Sequence, residues 1–200
     1  HSKFCHEKAR QFECLDKYMS NNDNFYKILR PESLDNFGME TFGKNPSSDF
    51  IQIKKLIKPN TKILEIGLGT GRLASQLVTL NIHYTGLEKQ SLYFKEAKRL
   101  LKNKKLPREK YKLLNMAFED LKKEISFDII LFSWTVIGDF SKKDQLIVLN
   151  KTFNHLVENG ICIIDNPSEN QSYNKHIGYK PTEFYYRNWK DVFAKMGFSH

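Results

Sequence analysis

Apolar positions along this chain follow two periods, and their order carries most of the fold. Phe4, Ala9, Phe12, Leu15 and Met19 recur at near-helical spacing and predict one amphipathic helix. Pro31, Gly38, Gly43 and Pro46 then predict a loop-rich connection. Ser47 and Ser48 are placed to cap a helix carrying Phe50, Ile53, Leu56 and Ile57, which Pro59-Asn60 ends. From there short apolar runs alternate with helical stripes. Ile63–Ile66, Tyr84–Leu87, Tyr111–Leu114, Asp128–Phe132 and Ile161–Ile164 read as strands. Leu73–Leu80 and Leu92–Leu101 read as helices between them. Leu146, Leu149, Phe153, Leu156 and Val157 mark one face of a further helix, with Ser141 and Asp144 as its capping pair and Gly160 as its stop. Trp189, Val192, Phe193 and Met196 form a last helical stripe before Gly197.

Strands alternating with helices imply right-handed crossovers and a parallel sheet covered on both faces. In such sheets a ligand lies outside the carboxyl ends of the strands, where the strand order reverses. Functional residues are therefore expected just after strands. Two segments follow: a helical N-terminal extension or cap over 1–46 and an α/β domain over 47–200.

Composition adds limits. The 200 residues are 40% hydrophobic and 28% charged, which excludes wholesale disorder, collagen and coiled coil. The longest apolar runs, such as Ile129–Phe132, are far too short to span a bilayer, and no secretory leader is expected. Cys5, Cys14 and Cys162 form no CxxC pair, so reduced thiols in a cytoplasmic protein are expected. The six histidines offer neither HxxxH nor HxH, and no protein-bound metal is expected. The formal charge is +9, and the stretch Lys95–Lys112 holds nine Lys or Arg against Glu96 and Glu109. Such a stretch suits a solvated helix face or a nucleic-acid partner. Few aromatics lie within it to stack bases.

The richest motif is Glu65-Ile66-Gly67-Leu68-Gly69-Thr70-Gly71-Arg72, which closes a strand and opens a helix. Glycines there permit a tight turn and close approach of a ligand to the backbone. The helix start adds unpaired N–H groups. A dinucleotide site would want G-x-G-x-x-G, whereas these glycines fall at 67, 69 and 71 and Arg72 occupies the next position. Glu88, ending the next strand in Tyr84-Thr85-Gly86-Leu87-Glu88-Lys89, is placed to accept hydrogen bonds from a ribose diol.

Lys62–Leu77 and Tyr84–Lys89 resemble the first two motifs of the class I S-adenosylmethionine-dependent methyltransferases. Phe127–Leu131, Glu158–Ile164 and Lys195-Met196-Gly197-Phe198 are similar to later elements of that family, so the likeness runs over about 51–198. It implies a Rossmann-like, doubly wound, mostly parallel sheet with helices on both faces, and S-adenosyl-L-methionine as cofactor. It implies that Glu65 and the backbone of Gly67, Leu68, Gly69 and Gly71 receive the methionine part. Glu88, with Lys89 beside it, would hold the ribose. Met116, Ala117 and Phe118 would flank the adenine, although the family often has an acid where this chain has Met116. Ser133 and Trp134 would face the sulfonium and the acceptor. Two strands usually follow the Gly-Phe element in this family, and this sequence runs to His200; the expectation is either that the strand pair lies beyond these residues or that the sheet has five strands.

The reaction implied is transfer of a methyl group to an N or O nucleophile of a small-molecule acceptor. The alternatives are an RNA, DNA or protein acceptor using Lys95–Lys112, and a non-catalytic or NAD-type nucleotide-binding module. Trp134, Asp139, Glu169, His176, Tyr185 and Tyr186 are the candidate acceptor-side residues, and the aromatic segment Asn166–Tyr186 is expected to be a lid or substrate wall. Asp165-Asn166-Pro167-Ser168 superficially resembles the motif of amino-directed DNA methyltransferases, but it follows the fifth strand rather than the fourth.

Overall fold

The computed structural model describes residues 30–43, 45–104, 107–122, 124–133 and 136–165. The helical stripes near either end of the sequence, the segment Asn166–Tyr186 and Trp134 lie outside the described residues. Five strands form one sheet: β1 (Thr61–Ile66), β2 (Ile82–Leu87), β3 (Tyr111–Leu114), β4 (Phe127–Phe132) and β5 (Leu156–Ile164). Their spatial order is β3-β2-β1-β4-β5, and every pairing is parallel. The chain runs outward from β1 to β3, then returns to the other side of β1 for β4. Right-handed crossovers thus place the helices before β2 and β3 on one face and the helix before β5 on the other. The order reverses between β1 and β4, so a cleft opens beyond their carboxyl ends.

The central strands are buried on both sides, as expected of a covered parallel sheet. Ile63, Leu64, Ile66 and all of Ile129–Phe132 are core residues. The helices are α1 (Pro31–Phe42), α2 (Ser48–Lys54), α3 (Ala74–Leu77), α4 (Ser91–Asn103) and α5 (Lys142–His155). α4 buries Tyr93, Ala97 and Leu101 on one face. That spacing of four keeps Lys95, Lys98 and Lys102 in solvent.

Several elements differ from the sequence expectation, each for a local reason. The connection expected around Pro31 and Gly38 is helix α1. Pro31 stands at its first position, where a missing N–H costs nothing, and Gly43 ends it with φ +79 and a bond to Met39 O of 3.0 Å. Ser47 precedes α2 but does not cap it, because its hydroxyl donates to Asp49 Oδ1 at 2.5 Å. The helix expected over Leu73–Leu80 is four α-helical residues, since Thr79 and Leu80 close i→i+3 bonds to Gln76 and Leu77.

α5 differs most. Ser141 does cap it, accepting from Asp144 N at 3.2 Å. Its buried face, however, is Gln145, Val148, Leu149, Thr152 and His155, while Phe153 is 46% exposed. Gly160 is not its stop. Leu156 is already extended and pairs with Phe127, so the strand starts directly after His155. A bulge at Asn159 (φ +61) and Gly160 then lets Ile161–Ile164 align with Ile129–Phe132.

Candidate active site

The loop after β1 is stitched to the end of β2. Leu68 N–H donates to Leu87 O at 2.9 Å, and Gly69 N–H donates to Glu88 Oε2 at 2.9 Å. Gly67, Gly69 and Gly71 have φ of +71, +57 and +87. These conformations strain any residue with a Cβ. Two of the glycines also make room. A Cβ on Gly67 would sit 2.6 Å from Val136 Cγ2, and one on Gly71 would sit 3.1 Å from Ala97 of α4. At Gly69 the nearest atom is Leu34 Cδ2 of α1, at 3.5 Å. Beside it, Thr70 donates its hydroxyl hydrogen bond to Asp35, also of α1.

Arg72 closes the motif with a two-pronged pair to Asp49 of α2, at 3.2 and 2.5 Å. The pair and the Ser47 hydroxyl hold the Asp49 carboxyl below its ordinary range, against the opposing effect of burial. Gln76 adds two bonds to Ser47, one to its hydroxyl and one from its N–H. α2 is thereby fastened to the helix that the glycine loop opens.

Two acids are buried here. Glu88 is 6% exposed and accepts from Gly69 N and Gln90 N. Burial raises its carboxyl above the ordinary value, and those amides and the charge of exposed Lys89 oppose the rise. Asn115, just after β3, supports it by donating to the carbonyls of Glu88 and Lys89 at 2.7 and 3.2 Å. No motif in the sequence singles out Asn115.

Glu65 is 1% exposed. Its Oε2 accepts from the Tyr84 hydroxyl and its Oε1 from Ser133 Oγ, both at 2.6 Å. Gly86 is its cross-strand partner, and a Cβ there would sit 2.8 Å from the Tyr84 hydroxyl. The glycine is what lets the phenol reach across. Burial pushes the Glu65 carboxyl up to about 7, with the two hydroxyls and Arg72 pulling it down and Asp49 pushing it up. The Tyr84 phenol is raised well above its usual value by the same burial and by Glu65.

The structure thus brings together Glu65, Gly67, Leu68, Gly69, Gly71, Glu88 and Ser133. Ser133 is turned onto Glu65. Met116 and Ala117 are half-buried after β3, but the ring of Phe118, expected beside an adenine, is only 2% exposed. It packs edge-on against Phe132 at 6.3 Å and against His155 at 5.8 Å, with Lys151 Nζ 5.3 Å from its centre. Its aromatic surface is therefore spent on α5, leaving Met116 and Ala117 as the half-exposed part of that loop. Asp139 is half-buried at the end of the 3-10 turn Val136–Asp139. Trp134, Glu169, His176, Tyr185 and Tyr186 lie outside the described residues.

A loop of left-handed glycines bonded to the acid of the next strand, at a switch point, defines a nucleotide-type cofactor site in a Rossmann-like fold. The methyltransferase-domain family matches residues 57–196, more than half of the chain. The chain belongs to that family and is a class I S-adenosylmethionine-dependent methyltransferase. No curated protein matches the sequence. Among solved structures, it is similar to a TehB-like methyltransferase from Corynebacterium glutamicum, with 15% identity over 80% of each chain and a TM-score of 0.57. It is also similar to SAM-bound CalS10, an amino pentose methyltransferase from Micromonospora echinaspora, with 16% identity and a TM-score of 0.56. That match covers 70% of this chain and 58% of the other. The glycopeptide N-methyltransferase MtfA in complex with S-adenosylmethionine aligns with 17% identity and a TM-score of 0.51, over 58% of this chain and 52% of its own. At these identities the likeness is one of fold. Among the described residues, no helix is long and apolar enough to cross a membrane.

Proposed function

We propose that this chain transfers the methyl group of S-adenosylmethionine to an N or O nucleophile of a small-molecule acceptor in the cytoplasm. The observation that carries the reading is the bond from Gly69 N–H to Glu88 across the glycine loop. The residues fit the cofactor. Glu88 Oε2 accepts the Gly69 amide and Oε1 the Gln90 amide, and a carboxylate has acceptor capacity beyond these for a ribose hydroxyl. The space at Gly69 is bounded by a single contact at 3.5 Å. The half-buried Met116 and Ala117 after β3 would receive the base.

When bound, the cofactor supplies a methyl group already activated by its positive sulfur. The chain's task is alignment of nucleophile, methyl and sulfur, and orientation of this kind supplies most of such an acceleration. The turn Val136–Asp139 after β4 would face the acceptor. Asp139 is the described acid on that turn able to take a proton from an amine or hydroxyl. Small-molecule acceptors are favoured because the basic stretch lies on α4 and the β3 edge, and both β2 and β1 stand between β3 and β4. CalS10, an amino pentose methyltransferase, and MtfA, a glycopeptide N-methyltransferase, fit that choice.

Calorimetric titration tests the reading directly. S-adenosylmethionine and S-adenosylhomocysteine should bind and NADH should not; the reverse result would make this an NAD-type module. Glu88→Ala should weaken cofactor binding by about 1.5–3 kcal/mol, the range for hydrogen bonds to a charged group. The preference for ribose over 2′-deoxyribose analogues should vanish with it. Full discrimination by the Glu88→Ala protein would assign the ribose to another residue.

A further inference from the structure

An amino acid moiety brings an ammonium into the site, and a partly dehydrated cation needs a counter-charge. The family likeness points to Glu65 for this role, but its geometry argues otherwise. Glu65 accepts the Tyr84 hydroxyl of β2 and the Ser133 hydroxyl just after β4, and at 1% exposure it is burial, not a lack of lone pairs, that withholds it from a ligand. Asp49 is committed to Arg72, Ser47 and the N–H of Phe50. Glu88 faces the ribose end and holds the amides of Gly69 and Gln90.

We propose that Asp35 of α1 is the carboxylate that meets the ammonium of the cofactor's methionine end, and that Glu65 is a buried strap beneath the loop. This rests on S-adenosylmethionine being the cofactor. α1 reaches the glycine loop with two consecutive residues. Leu34 bounds the space over Gly69 at 3.5 Å, and Asp35 Oδ1 accepts from the hydroxyl of buried Thr70. The Thr70 bond fixes the acid at the loop, and Asp35 is a half-exposed residue rather than a buried one. Glu65 instead ties three adjacent strands, its own β1 through Tyr84 to β2 and through Ser133 to β4.

Two ligands separate the roles. S-adenosylhomocysteine carries the amino acid; 5′-methylthioadenosine has the same thioether nucleoside without it. In calorimetry on the full chain, Asp35→Asn should weaken S-adenosylhomocysteine by about tenfold, as for removal of a charged hydrogen bond, and leave 5′-methylthioadenosine within about twofold. Glu65→Gln should move both ligands alike, because it acts through the loop. Equal losses for both ligands in Asp35→Asn, or no loss for either, would overturn the assignment. So would a selective loss of S-adenosylhomocysteine in Glu65→Gln. A parent protein that binds neither nucleoside would remove the cofactor reading itself, and this assignment with it.

Discussion

The two halves of the sheet's carboxyl edge are built by different rules. After β1 and β2, contacts are dense and close in sequence: Gly69 meets Glu88, and Gln90 N–H turns back onto the same carboxylate. After β4, the contacts that matter reach far along the chain. Ser133 bonds Glu65, and Val136 fills the space that a side chain at residue 67 would need. The cofactor half is thus a local device that one short motif encodes. The acceptor half is assembled by packing against it, so its shape can change without changing the cofactor site.

The sharpest way to break the contrast is at a place where the halves touch directly. Gly67→Ala puts a Cβ 2.6 Å from Val136 at a φ of +71. The left-handed backbone costs about 1–2 kcal/mol for a residue with a Cβ, and overpacking about 1–3 kcal/mol. Denaturant titration should show a loss of about 2–5 kcal/mol, the sum of those two costs. Adding Val136→Ala should recover the overpacking share only. Full recovery in the double variant would mean that the backbone conformation is costless, and no recovery would mean that Val136 is not the obstacle.

The same division explains what the sequence reveals. The five strands, the glycine loop and Glu88 are legible because short apolar runs and a motif within a single β-α-β unit are local properties. α1 is not, because Pro31 and Gly38 read as breakers. Only the helix's own geometry shows that Pro31 sits at a tolerated first position. The inward face of α5 is hidden as well, because it buries polar residues in place of the leucine stripe. Gln145 Nε2 donates to Ile137 O and Phe140 O, Thr152 Oγ1 to Val148 O, and His155 Nδ1 lies 2.7 Å from Ile125 O. Such bonds offset much of the penalty for burying them, although the buried Gln145 Oε1 has no partner among the described residues. The hydroxyls on Glu65 come from 19 and 68 residues away, a pairing that no spacing rule contains.

A second measurement sharpens the comparison through Glu65, which lies beneath both halves. Its ordinary carboxyl value of 4.5 is raised to about 7 in the fold, so the folded state holds the proton that the unfolded chain releases. Its contribution to stability is complete below about pH 4.5. It is lost as pH rises toward 7 and is level above that. The size of the loss is about 3 kcal/mol, because each tenfold change in proton affinity corresponds to about 1.36 kcal/mol. Glu65→Gln should remove this slope. In urea titrations the variant should therefore gain on the parent by up to about 3 kcal/mol between pH 4.5 and pH 8. Parallel pH profiles for the two proteins would mean that Glu65 remains charged in the fold throughout.

The smallest effect is expected on the outer face of the cofactor half. Lys98, Lys102 and Lys104 are exposed on or just after α4, opposite the Tyr93, Ala97 and Leu101 face that packs inward. Changing all three to Gln disturbs no buried side chain, and stability should move by less than about 0.5 kcal/mol per site. Their charges are screened over about 8 Å at physiological salt, and both β2 and β1 stand between β3 and β4. Methyl transfer to a small acceptor should accordingly stay within about threefold, since these lysines do not touch the transition state. A nucleic-acid acceptor would behave otherwise. Removing a lysine that pairs with a phosphate would make the salt dependence of binding shallower by about one charge, and turnover would fall with it. If the triple variant loses turnover and added salt reproduces that loss in the parent protein, the basic face belongs to the acceptor site. The acceptor half would then extend beyond β4 to the β3 edge.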